Sequence, residues 1–340
     1  MTTTYTATGT GQVSNLVVAA TDRYVEHGLR SAPLFRNFAD KRPVQVTGPS
    51  STVTLHFYTD LVVDPVNSIL TEYVDPDAIV LANTTSVTIT AKEYGATGYS
   101  TRKAELSALS DIDTELLDQI IWNMQDTLDW HAQTSFVGGG SGGTSIVVSA
   151  GSTLTALAAG SGATNNTTGG TGCTAIASTQ MLNAKAIRYG VTKMRAAKVM
   201  GRKGNLYGTV LAPEASADLR EETGAASWRD PHVYSAPGNI WDGELGAFEG
   251  TFFIESPRVF SSQIGVGAST TQVRVFNTYM FGQQFLAEAV GQDAHVEYGN
   301  MTDKLNRFRP VGWYGYLGWA PYRPQSFVQI NHATSARPTV

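Results

Sequence analysis

Cysteine is almost missing from this chain. Its 340 residues include one, Cys173, so no disulfide can close within it and no zinc site built from several thiolates can form. Positive charge is also scarce: 24 Lys and Arg against 29 Asp and Glu leave a net charge of −5. A chain that works mainly by gripping nucleic acid is usually basic. No run approaches the roughly 18 apolar residues of a membrane-spanning helix. The start, Met1 to Tyr5, lacks the basic stretch and apolar core of a signal peptide. The expectation is a protein made and kept in a cytoplasm, where the Asn-X-Thr matches at Asn83 and Asn165 carry no meaning.

Catalytic signatures are lacking too. The histidines, His27, His56, His131, His232, His295 and His332, show no metal-ligand spacing. No Gly-Lys-Ser/Thr follows a Gly-rich loop, so no phosphate cradle is read. The Gly-x-Gly-x-x-Gly match at Gly138, Gly140 and Gly143 follows a helical pattern and precedes a β-like run, Ser145 to Ser149. A dinucleotide site needs the reverse order. Asp75 and Asp77 flank Pro76 as turn formers, and Glu221 and Glu222 end a helix. Asp129 and His131, near Asp126, point to different helix faces, so no metal site is read there. No catalytic, metal or cofactor residue is expected.

What is present suits a folded chain: 42% hydrophobic and 16% charged residues, with 34 Gly. A polar arm, Met1 to Gln12, leads into a helical pattern from Asn15 to Leu29. Val53, Leu55 and Phe57 alternate with polar residues, as do Val87, Ile89 and Ala91; both runs read as strands. Pro65, Asn67, Pro76 and Asn83 lie between them, so the pair reads as a long hairpin-like flap whose legs meet near its base. Such an excursion, with little of its own to rest on, needs support from outside the chain. Leu116, Ile120, Met124 and Leu128 recur every four residues and predict a helix over Asp111 to Phe136. A Gly-, Ser- and Thr-rich insert follows, read as a surface loop or small β flap. Ser178 to Val199 reads as a second helix with Leu182, Ala186, Tyr189 and Lys193 on one face. Further strands are predicted at Asn205 to Leu211, Phe248 to Ile254 and Val273 to Phe276, with a helix from Pro213 to Glu222. Trp313, Tyr314, Tyr316 and Trp319 stud a β tail ending near Ile330, and read as packing residues.

Charge is segregated. Ala104 to Ser135 holds seven acids and no Lys or Arg; Ser178 to Gly208 holds seven bases and no acid. Three readings stay open: two solvated helix faces, two faces that meet within or between chains and set register, or a basic face toward DNA phosphates.

The order of these segments resembles the major capsid proteins of tailed bacteriophages with the Hong Kong 97-type fold. Pro65 to Pro76 (PVNSILTEYVDP) is similar to a stretch of that family's extended loop, and Ser86 to Tyr94 (SVTITAKEY) to its returning leg. Gly204 to Arg220 (GNLYGTVLAPEASADLR) looks like its strand–Pro–helix unit, Ile240 to Pro257 like its Gly-punctuated β segment, and Gly312 to Ile330 like its last strand. The resemblance implies a mixed α+β fold. It divides into an N-terminal arm (1–42), an extended loop (43–98), a peripheral domain with a spine helix and the insert (99–176), an axial domain (177–295) and a return strand (296–340). It further implies pentamers and hexamers closing into an icosahedral shell around double-stranded DNA, assembled in a bacterial cytoplasm. Scaffolding, portal and decoration proteins would be the other partners, with no membrane involved. Expected contacts between subunits fall at Arg23, Glu72, Asp75, Lys92, Asp118, Asp126, Arg188 and Arg195. A DNA-facing set would be Lys185, Lys198, Arg202 and Lys203. Rival readings are an encapsulin-like nanocompartment shell, a tail-tube or connector subunit, and a β-rich enzyme or glycan-binding module.

Overall fold

The computed structural model of the chain describes residues 30–43, 51–58, 68–70, 72–73, 75, 84–107, 112–136, 144–148, 154–157, 176, 178–222, 247–265, 273–299, 305 and 307–336. Its helices are α1 (Arg102–Ser107), α2 (Ile112–Phe136), α3 (Ala184–Ala196) and α4 (Pro213–Glu221). Its first strands are β1 (Asp40–Pro43), β2 (Thr52–Tyr58), β3 (Thr84–Thr90), β4 (Lys92–Thr101), β5 (Thr144–Val148), β6 (Leu154–Leu157) and β7 (Tyr207–Leu211). The later ones are β8 (Ala247–Phe248), β9 (Thr251–Glu255), β10 (Ser261–Gly265), β11 (Val273–Phe281), β12 (Leu286–Tyr298), β13 (Phe308–Pro321) and β14 (Phe327–His332). The predicted helix Asn15 to Leu29 and arm Met1 to Gln12 lie outside the described residues.

The described path begins in the core. Phe35 and Phe38 sit on a 3-10 helix, Phe35–Phe38, where residues three apart eclipse, so both rings point inward and are buried. Phe35 meets Tyr279 edge-on at 6.0 Å and Phe38 lies 4.6 Å from Phe281. Such pairs add about 0.5–1.5 kcal/mol beyond the area they bury. β1 then pairs parallel with β12. Residues 35–43, grouped with an arm on sequence grounds, thus belong to the chain's own core and sheet.

The flap legs pair as their alternation predicts, from Thr52 opposite Thr90 to Tyr58 opposite Thr84. Val53, Leu55, Phe57, Val87 and Ile89 turn to one face and pack on Ala287, Ala289 and Tyr322. Phe57 stacks on Tyr322 at 5.9 Å. The base of the flap therefore rests on its own chain, contrary to the sequence expectation. Alternation alone does not say what the apolar face covers.

Two larger sheets carry the rest. One has four strands in the order β1-β12-β13-β4; the other has eight, running β6-β5-β14-β11-β7-β9-β8 with β10 beside β11. α2 lies on the first sheet. Leu116, Ile120, Met124 and Leu128 pack on Val311, Trp313 and Leu317, as their four-residue spacing foretells. Gly98 permits the approach: a Cβ there would stand 2.9 Å from Leu116 Cδ1. α3 lies against β14 and β5 of the second sheet. Among the described residues no helix is long and apolar enough to cross a membrane.

Several sequence expectations are corrected. The second helix starts at Ala184 rather than Ser178, because the Asn183 side chain accepts the Ala186 N–H at 2.9 Å and caps it there. Ala186 is buried as expected, as is Leu182 just before the helix, with Ala184, Ile187, Val191 and Met194 beside them, while Lys193 is exposed with its Nζ 5.3 Å from the Tyr189 ring. Phe248 to Ile254 is two strands, since Glu249 and Gly250 both take positive φ (52° and 86°) in a two-residue hairpin turn. β11 runs on to Phe281. The aromatic tail is two strands, β13 and β14, in different sheets.

His332 closes the second sheet. It is fully buried; its Nδ1–H donates to Ala333 O and its Nε2 accepts from Thr278 Oγ1, both at 2.9 Å. Burial pushes the imidazole down to about 4, against the backbone hydrogen bond to Ala333. Between about pH 6.5 and 4 the unfolded chain takes up this proton and the folded chain does not, so stability falls as pH drops through that window. The loss amounts to about 3 kcal/mol from this residue. Denaturant midpoints measured from pH 7 to 4 will fall more steeply for the native chain than for His332→Gln; equal slopes would exclude the assignment.

Candidate functional site

Near the C-terminal end of α2 the sheet-bound helix meets the second sheet, and one arginine joins them. Arg258 lies in the turn between β9 and β10. Its Nη1 donates to Asp129 Oδ2 at 3.1 Å and its Nη2 to Asp126 Oδ1 at 2.5 Å. Its Nε donates to Ser31 O at 3.0 Å and Ser31 Oγ at 2.8 Å, and its guanidinium stands 5.6 Å from the Trp122 ring. The Arg258 carbonyl accepts Gln133 Nε2–H at 2.6 Å. Asp129 is 1% exposed, and its Oδ1 also takes the backbone N–H of Leu34 (3.0 Å) and Arg36 (3.1 Å). One carboxylate and one guanidinium thus fasten α2, the segment before β1 and the β9–β10 turn. Residues 126 and 129 are one helical turn apart, so both face the same arginine.

A second pair extends the clasp. Arg36 Nε donates to buried Glu288 at 2.8 Å and its Nη2 to Asp293 at 2.6 Å. Burial works against the Arg36 charge, but the hydrogen bond to Asp293 and the charge of Glu288 outweigh it, and its pKa is raised.

Two apolar regions among the described residues are notably exposed. On the flap, Ile69, Leu70 and Tyr73 are 78%, 69% and 91% exposed. At the far end of the four-stranded sheet, Tyr99 meets Phe308 edge-on at 5.9 Å, and Leu106, Tyr298 and Leu305 are exposed nearby in the chain. A groove of about 380 Å³ opens there, lined by Leu117, Tyr298, Pro310 and Val311. On its rim Arg309 pairs with Asp113 at 3.1 Å and Glu105 at 3.4 Å. The Ser100 hydroxyl, helped by Arg309, holds the Asp113 carboxyl below its usual range although burial opposes this.

The sequence-selected residues scatter. Glu72 and Asp75 are exposed on the flap, Lys92 is exposed at the start of β4, and Asp118 is exposed on α2. Asp126 is held by Arg258. Arg188 pairs with Glu249 at 2.8 Å and stands 5.7 Å from the Phe248 ring; Arg195 lies against Gly250 of the same turn. Lys185, Lys198 and Lys203 are exposed, and Arg202 lies 4.0 Å from Asp40. Arg23 lies outside the described residues. The acidic and basic helices rest on different sheets, and the ion pairs of Asp126 and Asp129 with Arg258, Asp113 with Arg309 and Arg188 with Glu249 each join a helix to a strand or turn. Arg258, Asp129, Arg36 and Glu288 were not selected; the side-chain partners given above are from 93 to 257 residues away, beyond any local pattern. Among the described residues no group of three or more His, Cys, Asp or Glu is placed to hold a metal ion.

No family model matches the chain, and no curated protein matches it in sequence. Solved structures do. The chain is similar to one in the cyanophage Pam1 capsid asymmetric unit, with a TM-score of 0.67 and 14% identity over 97% of this chain and 100% of that one. It is similar to one in the acid-stable capsid of Helicobacter pylori bacteriophage KHP30 (0.65, 12%, 97% and 100%) and one in the capsid of Ralstonia phage GP4 (0.63, 13%, 96% and 98%). The chain has the fold of bacteriophage capsid chains. The mixed α+β phage-capsid fold is the one expected from the order of its segments.

In this phage-capsid fold the clasp carries a measurable share of stability. Removing one partner of a buried pair strands the other's charge and costs about 3 kcal/mol or more, whereas an exposed pair is worth under about 1 kcal/mol. Arg258→Ala will therefore lower the unfolding free energy by about 3 kcal/mol. Asp126→Asn, at a side chain 54% exposed, will change it by less than about 1 kcal/mol. Equal effects of the two in chemical denaturation would contradict this account.

Proposed function

We propose that this chain is the major capsid protein of a tailed double-stranded DNA bacteriophage. In this reading many copies assemble as pentamers and hexamers and close into an icosahedral shell around the genome, inside the bacterial host. The observation that carries it is a fold match running almost the full length of both chains, not a shared domain. The surface supports the same reading. A subunit that binds copies of itself displays apolar side chains at defined places, and closed symmetric assembly multiplies modest contacts into a stable whole.

The flap and the far end of the four-stranded sheet suit each other as partners between copies. The flap offers Ile69, Leu70 and Tyr73 beside the acids Glu72 and Asp75. The sheet end offers Tyr99, Leu106, Tyr298 and Phe308 beside Arg102, Lys103 and Arg307. Apolar meets apolar and acid meets base, which favours one register of docking. Arm, extended loop, peripheral domain, axial domain and return strand would be the working parts. Scaffolding, portal and decoration proteins would be the other partners.

The double variant Ile69→Asp/Tyr73→Asp tests the reading. Both side chains are exposed, so the folded chain will keep its stability within about 0.5 kcal/mol. Sedimentation velocity will show large closed particles for the native chain and only small species for the variant. Particles of unchanged size and yield from the variant would sink the proposed role of the flap.

A further inference from the structure

The chain is acidic overall, yet one cleft reverses the sign. Three separate segments build it: strand β1, the loop after α3, and the turn from β11 to β12. Its lining is Asp40, Lys41, Arg42, Arg202, Gln283 and Gln284, around about 490 Å³. Lys198 and Lys203 lie on the same loop as Arg202 and are exposed. Asp40 is the sole acid of the lining, and it is engaged: its Oδ2 accepts the Tyr322 hydroxyl at 2.7 Å, and its Oδ1 lies 4.0 Å from Arg202.

The walls are fixed before anything binds. The Arg202 N–H donates to Leu206 O at 2.7 Å, and the Gln283 N–H to Met200 O at 3.0 Å. The Gly282 N–H donates to Ser326 O at 2.9 Å, and Gln284 is held at φ 58°. These bonds tie the loop and the turn to each other and to the 3-10 helix Pro324–Ser326. A site whose donors are already oriented spends less on ordering when a ligand arrives.

We propose that this cleft binds the phosphodiester backbone of nucleic acid, without regard to base sequence. Guanidinium groups grip phosphate through paired N–H donors, and lysine adds point charge. The Gln283 and Gln284 amides supply neutral donors to the same oxygens. No apolar residue lines the cleft. The buried centre of a protein–protein interface is apolar and depleted in charge, whereas contacts to nucleic acid are dominated by basic and polar groups on phosphate. The lining therefore favours a polyanion backbone over the carboxylates of a neighbouring copy. Lys41 and Arg42 extend the basic set selected from sequence, and Lys185, at the opposite end of α3, falls outside the cleft lining. The shell reading explains where such nucleic acid would come from; the binding itself does not depend on it.

The test uses unassembled full-length protein and a fluorescent DNA duplex of about 20 base pairs, titrated between about 50 and 200 mM salt. The native chain will bind with an affinity that falls steeply as salt rises. Lys41→Ala/Arg42→Ala/Arg202→Ala will bind at least about tenfold more weakly, and its salt slope will shrink by about three, one for each phosphate that is no longer neutralised. Gln283→Glu/Gln284→Glu, which leaves the cations in place, will also weaken binding and guards against a folding defect in the first variant. Unchanged affinity and slope in both variants would overturn the proposal. So would polyglutamate binding as tightly as DNA, which would reassign the cleft to an acidic protein surface. Failure of the shell reading would appear separately, as native protein that forms no particles whatever the titration gives.

Discussion

A buried carboxylate organises this molecule. Asp129 sits on a helix that belongs to one sheet, yet it is satisfied by two backbone N–H groups from the segment before β1 and by an arginine from the turn of the other sheet. A charge at 1% exposure is tolerable only when it is paired and hydrogen-bonded. That requirement ties three distant pieces of chain into one geometry. The 3-10 helix that carries Phe35 and Phe38 into the core is held at its start by the same oxygen. The strand that follows pairs with β12 and leads into the flap, whose base lies on Ala287, Ala289 and Tyr322.

Elements with a regular period were legible in the sequence. α2 follows from Leu116, Ile120, Met124 and Leu128, and the flap legs from alternation at Val53 to Phe57 and Val87 to Ala91. The buried strand β7 and the helix opened by Pro213 fall where their apolar run and their proline place them. β12 was not legible. Its opening residues, Leu286, Ala287, Glu288 and Ala289, are all buried, because the flap covers one face and the clasp the other. A strand covered on both sides loses its period of two, and Ala and Glu have weak strand preference. Its existence depends on partners β1 and β13, which no local window contains.

The functional surfaces divide the same way. The flap residues around Glu72 and Asp75 were visible as a polar, turn-rich excursion, and the basic run Lys185 to Lys203 as a charge block. Their partners were not. Arg188 looked available for a neighbour but is engaged by Glu249 in a tight turn of its own chain. Lys41 and Arg42 carried no signal in a short edge strand, yet the fold sets them beside Arg202 across more than 150 positions of sequence. Charge blocks show that a helix is acidic or basic; only the tertiary fold decides which charges neutralise one another and which remain on the surface.

Self-assembly into a closed shell is the central claim, and electron microscopy of the purified full-length chain tests it most directly. Closed polyhedral particles of uniform diameter are the predicted result. Open tubes, flat rings, or a population of isolated subunits that persists at high concentration and with a co-expressed scaffolding protein would contradict it.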